Sequence, residues 1–252
     1  MILGIDLGSR NVKIALFDGA EYSFSRYETI EFYRRYGCRV EESLRIDYQK
    51  LCLPPVEKIV STGYGRLTIK VEKGTVIPEI KAHVLGAISQ TGLKNFTLMD
   101  LGGQDTKVVK VVNGKIVDFE TNDKCAASSG RYLENMANVL GISLEELGKH
   151  DDDPVALSST CAVFGESELI GRIIEGIPVK QLAAGVNQTI VDRVKPLLHR
   201  LLSDVLIFTG GVAYNKGIKE LVQKQLNVKV IVPPEPQFNG AMGCTIFGRE
   251  EK

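Results

Sequence analysis

Residues 2–7, ILGIDL, form a short apolar run that ends in the turn residues Gly8 and Ser9; NVKIALF follows, then the pair Asp18-Gly19. This pattern predicts a strand, a tight turn, a second strand and a hairpin. The same order returns at 96–114, with FTLMDL, the turn Gly102-Gly103, TKVVKVV and the pair Asn113-Gly114. Asp6 precedes Lys13 by seven positions, and Asp100 precedes Lys107 by seven. Two copies of this grammar predict an α/β chain of two duplicated domains facing each other across a cleft. The boundary is expected near 85–95, giving domains of 1–90 and 91–252, with the closing helix free to pack back on the first. Paired hairpins are common and an Asp-x-Gly turn arises cheaply; the matched Asp-to-Lys spacing is what argues against coincidence.

Later segments change period. Helices are predicted after Cys125 (AASSGRYLENMANVL), from a capping-box start at Ser143 with Glu146 three residues on, and after Cys161 (AVFGESELIGRIIEG). The stretch 179–202 also reads as helix, which Pro196 is expected to kink or break. A strand at 205–209 (VLIFT), the loop Gly210-Gly211, a helix from about 214, a strand VKVIV and a last helix from about 239 complete an α/β second domain.

Bulk composition mainly excludes. With 252 residues, 44% hydrophobic and 25% charged, the chain can bury a sizeable core. Lys plus Arg equals Asp plus Glu at 31 each, so no net field draws it to nucleic acid or to an anionic membrane. The opening MILGIDLG runs straight into a strand pattern without a basic leader, and no apolar stretch is long enough to span a bilayer, so the expected location is cytoplasmic. In a reducing compartment five cysteines without a CxxC pair read as thiols or metal ligands rather than disulfides.

A triphosphate needs close backbone N–H donors, a cation, and a carboxylate to hold hydrated magnesium. The first turn offers Gly8 and Ser9 as donors, Lys13 as the cation and Asp6 as the carboxylate. The second offers Gly102 and Gly103 as donors, Asp100 as the matching carboxylate, and Gln104 or Asp105 to orient attacking water. Neither is GxxxxGK[ST], which excludes a P-loop. TGGVAYN at 209–215 could receive a nucleoside, and FNGAMG at 238–243 could let backbone approach an adenine. Any one glycine cluster is weak, because it can be a simple turn; four in this order are a much stronger signal.

The order GIDLGSRNVK, TGYGR, LMDLGGQDTK, NDKCAASSGR, SSTCAVFGESE, TGGVAYN, QFNGAMG resembles the activator ATPases of 2-hydroxyacyl-CoA dehydratases, a family that includes the ATPase subunits of benzoyl-CoA reductase. The resemblance covers nearly the whole chain and implies duplicated actin-like, ribonuclease H-like ATPase domains. Carried onto this sequence, it implies ATP or ADP contacts from Gly8, Ser9, Asn11, Val12, Lys13, Gly102, Gly103, Gly210, Gly211, Val212, Asn215, Gln237 and Gly240. It also implies Mg2+ and catalytic roles among Asp6, Asp100, Gln104 and Asp105. The sequence departs from the family pattern at Ser128-Ser129, where Gly-Thr is usual, at Gly165, where Ala is usual, and at Ala82, where a cysteine commonly precedes the equivalent of His83.

Cys125 and Cys161 lie 36 positions apart, each just before a predicted helix whose N-terminal N–H groups suit a thiolate. Two such cysteines per chain, paired about a two-fold axis, give the four ligands a four-iron cluster takes. The resemblance implies that they do, as one 4Fe-4S cluster bridging a homodimer. Cys38, Cys52 and Cys244 read as small buried hydrophobes. His83, His150 and His199 fall in no catalytic arrangement, and Glu166 and Glu168 are explained equally by a role near the cluster and by a solvated helix face or cap. The expected function is ATP-driven, low-potential electron transfer. The expected partners are a donor such as ferredoxin or flavodoxin and an iron-sulfur dehydratase or reductase, a double-cubane cluster protein among the candidates. The alternatives are a small-molecule kinase of the same fold, which has no use for paired cysteines, and a nucleotide-dependent interaction module without turnover.

Overall fold

The apolar run ILGIDL becomes β1 (Ile2–Leu7) in the computed structural model, which describes residues 1–40, 43–67, 69–71, 73–122, 129–158 and 162–250. It pairs antiparallel with β2 (Asn11–Phe17), and β2 with β3 (Tyr22–Glu28). Helix α1 (Thr29–Tyr36), β4 (Gly37–Val40) and β5 (Ser43–Ile46) precede β6 (Lys58–Thr62), which joins β1 in parallel. β7 (Ile69–Val71), β8 (Thr75–Val76) and α2 (Glu79–Thr91) follow, giving a sheet of order β3-β2-β1-β6-β8 and a small one of order β4-β5-β7. Leu3, Ile5, Leu7, Val12 and Ile14 pack one face of the larger sheet with Phe32 and Tyr36 of α1.

The second unit repeats the plan. β9 (Phe96–Leu101), β10 (Thr106–Val112) and β11 (Lys115–Asn122) form the meander, and β12 (Val205–Thr209) and β13 (Lys229–Ile231) add in parallel, in the order β11-β10-β9-β12-β13. Asn113 and Gly114 both take positive φ, +51° and +74°, as the tight hairpin between β10 and β11 requires. Between the meander and β12 run α3 (Gly130–Leu140), α4 (Leu144–Leu147), α5 (Ala162–Ile174) and α6 (Val179–Leu201); α7 (Lys216–Leu226) lies between β12 and β13. Tyr132 and Met136 of α3 and Leu182, Val186 and Ile190 of α6 pack against Met99, Val108 and Phe208 of the sheet.

Of the kink or break expected at Pro196, the break does not occur: helix α6 runs unbroken through it. Val194, Leu198 and Leu201 on either side of the proline are all buried in the second core, and that burial outweighs the roughly 3 kcal/mol the lost helix bond costs. Ser143 caps α4 as predicted, its Oγ accepting the Glu146 N–H at 3.0 Å. The Glu146 carboxylate turns instead to Lys149 and His150.

The two compact units are Met1–Leu93 with Gln237–Lys252, and Lys94–Pro236. Helix α8 (Asn239–Glu250) therefore belongs with the first unit. It lies on the first sheet and against α2 at backbone-to-backbone distance. A Cβ at Gly4 would overlap the Ala241 carbonyl, one at Gly86 the Asn239 carbonyl, and one at Gly243 the Ala82 carbonyl. Asn239 locks the pair, donating to the His83 carbonyl at 2.7 Å and accepting from Gln90 at 2.9 Å. No helix among the described residues is long and apolar enough to cross a membrane.

Candidate functional site

The antiparallel register sets Asp6 opposite Lys13 and Asp100 opposite Lys107, because seven positions span one tight turn with its flanking strand ends. In parallel, β6 sets Thr62 beside Asp6, and β12 sets Thr209 beside Asp100. Each threonine is followed by a glycine at positive φ, Gly63 at +104° and Gly210 at +88°, whose missing Cβ lets the backbone close on Leu7 and on Leu101 respectively. Each unit thus ends its central strands in the same Asp, Lys, Thr, Gly constellation.

In the first unit Lys13 Nζ donates to Asp6 Oδ2 at 3.0 Å. Asp6 is 2% exposed, and its Oδ1 has no hydrogen-bond partner, because Thr62 Oγ1 donates instead to the Ile77 carbonyl at 2.9 Å. The charge of Asp6 reaches its neighbours. Burial, and then Asp6, push the Tyr33 hydroxyl up to about 12 and hold the Cys244 thiol well above its ordinary value. Gly8 lies under this pair, where a Cβ would come within 2.7 Å of Lys13 Nζ and 2.6 Å of the Asn11 carbonyl. Gly240 of α8 is also here, its Cβ position 2.9 Å from His83 Nε2 and 3.4 Å from Asp6 Cγ. Glu79 Oε1 stands 3.9 Å from the same histidine nitrogen.

In the second unit Thr209 Oγ1 donates to Asp100 Oδ1 at 2.8 Å, and Lys107 Nζ donates to Asp105. The Gly102 N–H, expected as a phosphate donor, is engaged with the Asp105 carbonyl at 2.9 Å. The first N–H groups of α3 hold the same turn, Gly130 to the Gly102 carbonyl and Arg131 to the Gly103 carbonyl. Gln104 is half-buried in the turn.

Of the residues singled out from sequence, the structure brings Asp6, Gly8, Lys13 and Gly240 together in one unit and Asp100, Gly102, Gly103, Asp105 and Gly210 in the other. Ser9 lies in the first turn beside Gly8, and Gly211 opens the short turn after Gly210. Val12 and Val212 are core residues. The Asn215 side chain is occupied: its Oδ1 caps α7 on the Ile218 N–H at 2.9 Å, and its Nδ2 donates to Asn187 at 2.8 Å. Gln237 accepts from Arg26 at 3.2 Å. Thr62, Thr209 and the pair Glu79 and His83 were given no role from sequence; the signal available for the threonines was their place as the last strand residue before a glycine. Cys125, Ser128 and Cys161 lie outside the described residues. Cys244 is buried as expected, whereas Cys52 is exposed, at the left-handed position (φ +52°) that ends a short helical turn. Among the described residues no cluster of three or more His, Cys, Asp and Glu could hold a metal.

Residues 3–248 match the BadF/BadG/BcrA/BcrD ATPase family. The chain is 38% identical over 250 residues to an uncharacterised protein of Methanocaldococcus jannaschii, covering 98% of this chain and 100% of that protein. It is 36% identical over 252 residues to the (R)-2-hydroxyglutaryl-CoA dehydratase activating ATPase of Acidaminococcus fermentans, covering 97% and 95%. Its fold superposes on the activator of the 2-hydroxyisocaproyl-CoA dehydratase from Clostridium difficile with bound ADPNP, with a TM-score of 0.85 at 31% identity, covering 99% of this chain and 94% of that one. A match that runs from Leu3 to Gly248, over both Asp-Gly turns, makes the chain a member of the BadF/BadG/BcrA/BcrD ATPase family, with its duplicated actin-like α/β fold.

Proposed function

We propose that this chain hydrolyses ATP to drive low-potential electron transfer, through a 4Fe-4S cluster shared by two copies, to an iron-sulfur dehydratase or a related reductase. The observation that carries the reading is the match to a dehydratase-activating ATPase over 97% of this chain and 95% of that protein. The Asp-Gly turns would carry the phosphate contacts. Asp6 Oδ1, buried with no hydrogen-bond partner, suits an oxygen that meets the water shell of Mg2+, and Lys13 beside it suits a phosphate charge. Asp100, held by Thr209, is the matching carboxylate, with Gln104 or Asp105 to orient water.

For the cluster, Cys125 and Cys161 stand on the sequence argument. Supporting a second copy, α5 begins directly after Cys161 and carries Phe164 at 70% and Ile174 at 80% exposure, with Ile170 and Ile173 also exposed. The cluster would supply one-electron chemistry, and a ferredoxin or flavodoxin would reload it. A change of about 1.4 kcal/mol moves a one-electron potential by only about 60 mV, which is why nucleotide energy is needed for difficult acceptors.

The test is the absorption and EPR spectrum of protein purified without oxygen, with iron counted. About four irons per dimer are expected. Cys125→Ser or Cys161→Ser should abolish the chromophore, and Cys244→Ser should keep it. Protein that takes up no cluster on anaerobic reconstitution would overturn the electron-transfer reading and favour a kinase.

A further inference from the structure

Asp6 and Asp100 occupy the same register, each beside a threonine at the end of a parallel strand, yet only one threonine hydroxyl reaches its acid. Thr209 donates to Asp100 at 2.8 Å, and Thr62 donates to the Ile77 carbonyl at 2.9 Å. We propose that Thr209 is a positioning residue that fixes the Asp100 carboxylate for ATP hydrolysis, and that Thr62 has no such part at Asp6. The inference rests on the reading above, in which Asp100 acts on the phosphates.

The physical case has three steps. A carboxylate turns readily about its last torsion, so an acid that must meet a phosphate or its metal shell in one plane needs a fixed partner. Threonine is stiff at χ1, and Thr209 is fully buried on β12, so its hydroxyl cannot follow a turning acid. Gly210 then removes the remaining freedom: at φ +88° it closes on Leu101, the residue after Asp100, and its N–H donates to the Pro236 carbonyl at 2.9 Å. The ends of β9 and β12 are thus clamped side by side with the hydrogen bond between them. In the first unit Gly63 makes the same close approach to Leu7, so the backbone is equivalent and the difference lies in the hydroxyl.

The experiment is steady-state ATP turnover of the full-length protein with Thr209→Val, Thr209→Ala, Thr209→Ser, Thr62→Val and Asp100→Asn, each checked for its melting temperature. Losing a hydrogen bond to a charged group predicts a kcat about 10-fold or more lower in Thr209→Val and Thr209→Ala, with KM for ATP within about twofold. Thr209→Ser, which restores the hydroxyl, should recover most of the rate, and Thr62→Val should turn over like wild type. A merely structural Thr209 would lower the melting temperature and leave the kcat of the folded protein unchanged. That result, or Thr209→Ser as slow as Thr209→Val, overturns the inference. Wild-type turnover in Asp100→Asn would instead remove the site reading, and the inference with it.

Discussion

The ends of β1 and β9 place the same side-chain types, Asp, Lys and Thr, in the same register, and then connect them differently. In the first unit Lys13 is paired with Asp6, and Thr62 looks elsewhere. In the second, Lys107 is paired with Asp105, and Thr209 holds Asp100. Five positions after each leading acid stands Asn11 in one unit and Asp105 in the other. A neutral amide there leaves Asp6 as the carboxylate beside Lys13, whereas a carboxylate there gives Lys107 a second anion. A duplicated backbone therefore does not imply duplicated chemistry, because one residue outside the shared pattern can bring a further anion to the lysine.

The shared part of the comparison carries the largest effect. Gly210→Ala and Gly63→Ala each put a methyl group into backbone, at positive φ, against Leu101 and Leu7. Strain and overlap together should cost about 3 kcal/mol or more in either unit. Denaturant unfolding should show a comparable loss of midpoint for both; a mild effect at one alone would break the equivalence of the two strand ends.

Next in size are two fully buried asparagines, Asn187 in the second unit and Asn239 in the first. Asn187 makes three side-chain bonds, donating at 2.8 Å to both the Leu147 and His150 carbonyls and accepting from Asn215. Asn239 makes two, to the His83 carbonyl and from Gln90. Asn187→Ala should cost about 2–3 kcal/mol and Asn239→Ala about 1–2, since more partners are left unsatisfied in the first case. Equal losses, read from midpoints at constant m-value, would mean that packing rather than polar satisfaction sets both.

How much of this was legible follows from which forces are local. The meanders and their turns could be read because alternation, Asp18-Gly19 and Asn113-Gly114 are short-range signals, and the Asp-to-Lys spacing of seven translated directly into cross-strand register. The small β4-β5-β7 sheet and α1 carried no clear period and were not predicted. Pro196 does not break α6 because its local cost is opposed by burial of Val194, Leu198 and Leu201, which sequence alone does not weigh. The Asn215 cap was hidden inside a glycine-rich motif that reads as a ligand loop, and its partner Asn187 is 28 positions away. The threonine difference could not be read at all, since both precede a glycine and only the tertiary position of the Ile77 carbonyl separates them.

The finest test exchanges the residue that distinguishes the two turns. Lys107 is 7% exposed at its side chain, so Asp105→Asn takes a carboxylate from a nearly buried ammonium. Breaking such a pair completely costs about 3–5 kcal/mol. Asp100 faces Lys107 across the strands and remains as an anion opposite it, which should bring the loss down to about 1–2 kcal/mol. Asn11→Asp is the smaller change. Asn11 is only half-buried, and Lys13, 18% exposed at its side chain, already has Asp6. A second carboxylate adds attraction to the ammonium and repulsion against Asp6, so the net should stay within about 1 kcal/mol of zero. The informative readout is the coupling in the double variant Asn11→Asp with Asp6→Asn. If the added carboxylate can take over Lys13 as Asp105 takes Lys107, the double variant should be more stable than the sum of the single changes predicts. Strict additivity would show that position 11 cannot reach the ammonium, and that the different pairing of the two lysines comes from loop geometry rather than from Asn11 against Asp105.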